Sequence, residues 1–186
     1  TVKFCKRLEA AGAEVITLHG RLAKNFYSGR VFTEIISAVR QNLRIPLVAN
    51  GGITGINSYN QIRAESGSSR VMLARGVMGH PWLFSELADP LSYQPPTVTE
   101  LADELEHHIT DMIDFYGEEL ALRMCRKVIL DYTSGRGYSG QLRASVSFLK
   151  SIADFAVFMA EVRQGPSERY WKWLENNVSA DRRIRP

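Results

Sequence analysis

Three short clusters in this chain carry residue types suited to chemistry, one a polar triplet, His19-Gly20-Arg21, and two of them turns able to grip an anion, Asn50-Gly51-Gly52 and Arg75-Gly76. Each follows a short apolar run (residues 15–18, 45–49 and 71–74) of the kind that forms a buried strand. Glycine permits close backbone approach and left-handed backbone angles, so the N–H groups around Gly51, Gly52 and Gly76 can converge on phosphate oxygens, with Arg75 adding a two-pronged charged contact. Either turn alone is an ordinary loop; the pair carries the inference. Between the two turns lies one helix-length segment, residues 56–65, which is the spacing of a strand, helix, parallel strand unit with both turns on one sheet edge. In a (β/α)₈ barrel the loops after the seventh and eighth strands commonly form a phosphate site, and these would be consecutive strands near the end of such a barrel.

The elements that must position these clusters can be read from periodicity. Residues 2–11 predict an amphipathic helix with Val2, Phe4, Cys5, Leu8 and Ala11 on one face, and residues 31–41 a second with Phe32, Ile35, Ile36 and Val39 turned inward. The loop between the first strand and this helix holds Lys24, Asn25, Phe26, Tyr27 and Gly29, and Pro46 opens the second strand, where its missing N–H is tolerated. Three parallel strands do not close a barrel, which implies that further strands belong upstream. After the third strand, Trp82 and Phe84 are expected to pack, and the Pro-rich stretch 88–96 marks a boundary. Beyond it the period is helical: residues 97–116 with a Thr97 or Thr99 cap, 118–132 with Leu120, Met124, Ile129 and Leu130 toward a core, one long helix over 141–163, and a last segment over 167–177. The expected architecture is α/β plus all-α, a partial (β/α)₈ TIM barrel followed by a small helical bundle, divided as 1–90 and 97–186.

A 45% hydrophobic content supports a real core, and no apolar run reaches the length of a membrane span. Two cysteines without CxxC or His-rich company indicate neither zinc nor a disulfide framework, which makes a reducing, cytoplasmic setting the expectation. A net charge of +3 is too small to announce a nucleic-acid protein, but the charge is segregated. Residues 100–119 are acidic apart from two histidines, whereas Arg126, Lys127, Arg136, Arg143, Lys150, Arg163, Arg182, Arg183 and Arg185 follow, which can build one basic face. His107 and His108 lack a second ligand pair for a metal, Asp111 and Asp114 read as a solvated helix face, and no Ser/His/Asp or paired-carboxylate constellation is present.

Taken together, ITLHGR at residues 16–21, Tyr27-Ser28-Gly29, IPLVANGGI at 45–53, VMLARG at 71–76, GHPWLF at 79–84 and FYGEELALRMCRKVILDY at 115–132 resemble the tRNA-dihydrouridine synthases, in their bacterial form. The resemblance runs to about residue 162. It implies an FMN-dependent oxidoreductase that reduces the C5–C6 double bond of uridine in tRNA with NADPH as hydride source. It further implies that this chain holds the last three barrel strands and the helical domain, so that the family's proton-donating cysteine would lie upstream of residue 1, no catalytic residue falls within the chain, and the chain alone is inactive. Cys5 and Cys125 read as packed thiols.

Carried over position by position, His19 approaches the flavin; Asn50, Gly51 and Gly52 hold the FMN phosphate and ribityl chain; and Ala74 and Arg75 complete the phosphate grip. Arg21 and Lys24 line the mouth where RNA enters, and Arg126, Lys127 and Arg143 contact tRNA from the helical domain. The full-length protein is expected to be a monomer with no membrane association. The family usually has an acidic residue at position 52, Gly at 74 and Thr-Arg at 22–23, where this chain has Gly52, Ala74 and Leu22-Ala23, with Lys24 a replacement for the missing charge. Two other readings are a different FMN-dependent TIM-barrel oxidoreductase, such as a dihydroorotate dehydrogenase relative, and a non-catalytic RNA-binding module working through the basic segment.

Overall fold

A computed structural model of the chain describes residues 1–25, 28–177 and 183–186. The expectations placed on Phe26, Tyr27 and Arg182 lie outside the described residues. The chain divides into two compact units, Thr1–Val77 with Leu83–Ser92, and Met78–Trp82 with Tyr93–Pro186.

The first unit alternates helix and strand: α1 (Val2–Ala10), β1 (Ile16–His19), α2 (Thr33–Asn42), β2 (Leu47–Asn50), α3 (Ile56–Ser66), β3 (Arg70–Met72) and a short α4 (Leu83–Ala88). Its strands form one parallel sheet in the order β1-β2-β3. Val, Ile and Leu at alternate positions put Ile16, Leu47 and Ala49 on one face, where they are buried with Cys5 of α1, Ile36 and Val39 of α2 and Ile62 of α3. The opposite pleat carries Thr17, His19, Val48 and Asn50, paired across β1 and β2. Phe4 and Leu8 of α1, expected on its packed face, are exposed, and Cys5 alone of that helix is fully buried.

Two polar contacts set where the strands begin. Oε1 of Glu9 accepts from the backbone N–H of Arg44 (2.7 Å) and Ile45 (3.0 Å), pinning the approach to β2 and holding the Glu9 carboxyl below its usual range. The buried Ser68 hydroxyl lies 2.6 Å from the Leu47 carbonyl and 2.9 Å from that of Arg70, tying the entry of β3 to β2. The third strand is shorter than its apolar run. Ala74 is off the ladder, and its carbonyl instead accepts from Val77 N–H (3.2 Å) to start a 3₁₀ turn over Arg75–Val77.

The second unit is helical: α5 (Val98–Tyr116), α6 (Glu118–Thr133), α7 (Gly140–Ser145), α8 (Ile152–Val162) and α9 (Glu168–Asn176). Thr97 caps α5 in a reciprocal box with Glu100. Leu101, Leu105 and Ile109 of α5 close on Leu122, Cys125 and Ile129 of α6 and on Phe155, Phe158 and Met159 of α8. The expectation of Leu120 and Met124 as core is corrected: both are exposed, because α6 turns Ala121, Leu122 and Cys125 inward one position away. Burial pushes the Cys125 thiol up to about 11, so it packs as an inert side chain. The long helix over 141–163 is in fact two. Leu149 turns extended, and Ser151 and Asp154 form a new capping box that restarts the chain as α8.

Charges also distribute differently from their order in sequence. Arg136 is buried, not on a basic face. It donates to the carbonyls of Gly79 (2.9 Å), Arg183 (3.0 Å) and Tyr132, lies 3.3 Å from His80 Nδ1, and stacks its guanidinium over Trp82. Burial, with the neighbouring Arg183 charge, pulls the guanidinium down to about 10, which still leaves it fully charged near neutrality. Arg163 bridges Asp103 (2.6 Å) and Glu106 of the acidic helix α5, and Arg185 returns to α5 through Glu100 (3.5 Å). Trp82 packs against the helical core as expected, whereas Phe84 is 59% exposed. Among the described residues, no helix is long and apolar enough to cross a membrane.

Candidate functional site

Parallel pairing places the three strand ends side by side. In register, His19 is opposite Asn50 and Asn50 is opposite Met72. The row is bonded through side chains: His19 Nδ1 lies 2.5 Å from Asn50 Oδ1, and Asn50 Nδ2 donates to the Met72 carbonyl at 2.7 Å. Asn50 thus links all three strands just where the ladder ends and the glycine turns begin.

Beyond that row the turns after β2 and β3 press against one another. A Cβ on Gly76 would stand 2.2 Å from the Ile53 carbonyl oxygen and 3.1 Å from Thr54 Cα, so only glycine lets the two loops nest. Gly52 has φ +69, in the left-handed region, and a Cβ there would meet Val31 and Arg21 Nη2 at 3.2 Å. The result is a cavity of about 470 Å³ lined by His19, Asn50, Gly51, Gly52, Ala74, Arg75 and Gly76, together with Arg21, Ile53, Thr54 and Met72. All six residues expected to hold a cofactor, from two strand ends and the turns after β2 and β3, meet there.

Arg21 sits closer to the glycine turn than a residue at a cavity mouth would. Its Nε donates to the Gly29 carbonyl (3.1 Å), and its Nη1 is shielded from solvent with no hydrogen-bond partner. Charge-bearing lining residues are Arg21 and Arg75, with no carboxylate among the described ones. An anion with several acceptor oxygens matches this set: backbone N–H groups at glycines that a Cβ would obstruct, two guanidiniums, and one buried guanidinium nitrogen still lacking an acceptor. FMN, with its terminal phosphate, fits that chemistry.

The residues expected to meet RNA are dispersed. Lys24 is exposed on a 3₁₀ turn over Ala23–Asn25. On α6, Arg126 is half-buried with Nη2 donating to the Leu149 carbonyl (3.3 Å), and Lys127 lies 2.6 Å from Asp131 of its own helix. Arg143 is exposed on α7. Sequence reasoning missed Met72 as the acceptor for Asn50, since a backbone carbonyl leaves no mark in residue type, and Val31, whose methyls pack on the Gly51–Gly52 turn. It also missed the buried role of Arg136, although two flanking glycines were a signal for close packing.

A family model described as dihydrouridine synthase (Dus) matches residues 1–163. A "probable tRNA-dihydrouridine synthase" of Rhodobacter capsulatus is 35% identical over 171 residues, covering 90% of this chain and 51% of the relative. One of the same description from Rickettsia conorii is 31% identical over 172 residues, with 87% and 52% covered. "tRNA-dihydrouridine synthase B" of Proteus vulgaris is 27% identical over 157 residues, with 82% and 49% covered. The chain therefore spans about half the length of these curated relatives. Helix α9 lies beyond the family match.

Proposed function

We propose, from the premise that this chain belongs to the dihydrouridine synthase family, that it is the part of an FMN-dependent tRNA-dihydrouridine synthase that holds the flavin phosphate and presents tRNA. The observation that carries the reading is the nesting of the Gly51–Gly52 and Arg75–Gly76 turns into one cavity with two guanidiniums and no described carboxylate. Residues 1–90 form the C-terminal portion of a (β/α)₈ barrel, whose helices cover one face of the sheet and whose other face, with Thr17, His19, Val48 and Asn50, lines the interior. Residues 97–186 form the tRNA-binding helical domain.

FMN, when bound, would supply the hydride for the C5–C6 bond of a tRNA uridine, with the accompanying proton from a donor upstream of this chain and with NADPH restoring the reduced flavin. Around it this chain's residues bind, orient and screen. Backbone N–H groups at Gly51, Gly52 and Gly76 would take phosphate oxygens, Arg75 would add a bidentate, charge-assisted contact, and Ala74 would contribute backbone. His19 and Asn50, at the ends of two paired strands, would hold the ribityl chain and ring. Lys24 would receive the RNA backbone, Arg21 would offer its shielded Nη1 to the anionic ligand of the cavity, and the target uridine would be flipped out of its stack to reach the ring. Arg143, Lys127 and Arg126 supply phosphate contacts from the helical domain. The protein works in the cytoplasm as a monomer.

The experiment that tests this is reduction of unmodified tRNA by the protein at the length of its relatives, supplied with FMN and NADPH. Uridine should gain two hydrogens by mass spectrometry of digested tRNA. FMN binding without any dihydrouridine, and with reduction of a free pyrimidine instead, would transfer the site to another FMN oxidoreductase.

A further inference from the structure

The row His19–Asn50–Met72 fixes more than position. The Met72 carbonyl can only accept, so the Asn50 atom 2.7 Å from it must be the amide NH₂. The Asn50 oxygen then faces His19, and that oxygen also can only accept. His19 Nδ1, 2.5 Å away, must therefore carry a proton. In the neutral imidazole the other nitrogen, Nε2, is then a bare lone pair. His19 belongs to the cavity wall, beside Gly51 and Gly52.

We propose that Asn50 is a positioning residue that locks His19 in its Nδ1–H tautomer through a hydrogen-bond relay anchored on the Met72 carbonyl, so that Nε2 meets the ligand as an acceptor. The ligand atom opposite it is a hydrogen-bond donor, a hydroxyl or a ring N–H, and not a phosphate oxygen. The charge pattern of the cavity agrees. Its described charged groups, Arg21 and Arg75, serve anionic oxygens, which leaves a neutral acceptor for the donor-bearing part of the same molecule. The relay also explains why Asn stands at position 50. Aspartate could accept from His19 but could not donate to Met72, and alanine could do neither. The proposal depends on the flavin reading only for the identity of the ligand, where a ribityl hydroxyl or the ring imide N–H supplies the donor.

The test is long-range ¹H–¹⁵N correlation of the histidine-labelled chain without ligand, with His19 assigned among four histidines by comparison with His19→Gln. At a pH where the ring is neutral, Nδ1 is expected in the pyrrole-type region and Nε2 in the pyridine-type region. Asn50→Ala should release the ring toward Nε2–H, the form free imidazole side chains prefer. Asn50→Asp should keep Nδ1–H and so rescue the tautomer. Adding FMN should move Nε2 alone, in the direction of an accepted hydrogen bond, and Asn50→Ala should weaken FMN binding about threefold to tenfold, the worth of one ordinary hydrogen bond. An Nε2–H ring in the unsubstituted chain, or a tautomer indifferent to Asn50→Ala, would overturn the proposal. A correct tautomer together with no flavin binding by the protein at the length of its relatives would leave the relay standing and remove the flavin reading.

Discussion

Replacing Gly76 by alanine puts the organisation of the site to its most direct test. The added Cβ would lie 2.2 Å from the Ile53 carbonyl oxygen, whereas Cβ atoms in real structures keep at least 3.0 Å, and the opposing atom is backbone that cannot swing aside. One of the two turns must retreat by roughly 1 Å, an overpacking strain of about 1–3 kcal/mol. With a urea m-value of about 1–3 kcal/mol/M, the unfolding midpoint should fall by roughly 1 M with the slope unchanged. The same retreat pulls apart the backbone donors on the two turns. If they grip one phosphate together, losing a single charge-assisted bond weakens FMN by about 1.5–3 kcal/mol, or roughly tenfold to a hundredfold. Gly55→Ala is the matched control, because nothing lies within 4 Å of its Cβ and its φ of 176° is open to any residue. Urea unfolding and quenching of flavin fluorescence measure the two effects. Were Gly76→Ala to match Gly55→Ala in both, the turns would not be nested and the cavity would not act as one site.

Arg75→Ala should cost FMN affinity by about tenfold to a hundredfold, and Arg75→Lys should recover only part, since an ammonium keeps the charge and loses the fork; flavin titration decides, and unchanged FMN affinity with weakened tRNA binding would make Arg75 an RNA contact. Arg136→Met should destabilise the helical unit by at least about 3 kcal/mol in urea unfolding, because three carbonyls lose their donor at once; a loss under 1 kcal/mol would mean that water replaces it. The lowered Glu9 carboxyl contributes stability that is present above its ordinary value near 4.5 and is lost as pH falls through the folded-state value, so Glu9→Gln should flatten the acid limb of a stability–pH curve and leave the neutral region's slope unchanged. For tRNA, Arg143→Ala should lower the log–log salt slope by about 0.7–0.9, and Lys127→Ala by less, because Lys127 already shares its charge with Asp131; equal slopes for both variants would contradict that ranking.

What could be read from the sequence was what residue type alone dictates. Gly51, Gly52 and Gly76 announced tight backbone because no other residue tolerates it, and the apolar runs before them announced strands, though not buried ones throughout: β2 is buried at alternate positions, β1 only at Ile16, and β3 nowhere along its length. A helix start at Thr97 or Thr99 was legible too, and the structure selects Thr97 through its reciprocal box with Glu100. What could not be read depended on competition between local signals or on partners remote in sequence. The break between α7 and α8 needed Ser151 and Asp154 to outcompete a continuous helical period, and the inward frame of α6 shifted by one position against α5. Arg136 and Arg163 counted as surface charge in sequence but are committed to carbonyls and to α5 in the fold. The His19–Asn50–Met72 row likewise required the register of two strand pairs, which no single stretch encodes.

Gly52 shows how one residue sets the balance of the site. It faces Arg21, whose Nη2 would stand 3.2 Å from a Cβ at that position, close enough for a carboxylate there to pair with the guanidinium. With glycine instead, Arg21 Nη1 stays shielded from solvent without a hydrogen-bond partner. A buried donor without an acceptor costs about 1–3 kcal/mol until something supplies one, and an anionic ligand does so at the moment it binds. The cavity is therefore under-satisfied in the absence of ligand and complete with it, and part of the ligand's affinity is the relief of that deficit. Aspartate at position 52 would satisfy Arg21 from within, at the cost of a strained left-handed backbone, and would surrender that share of the affinity.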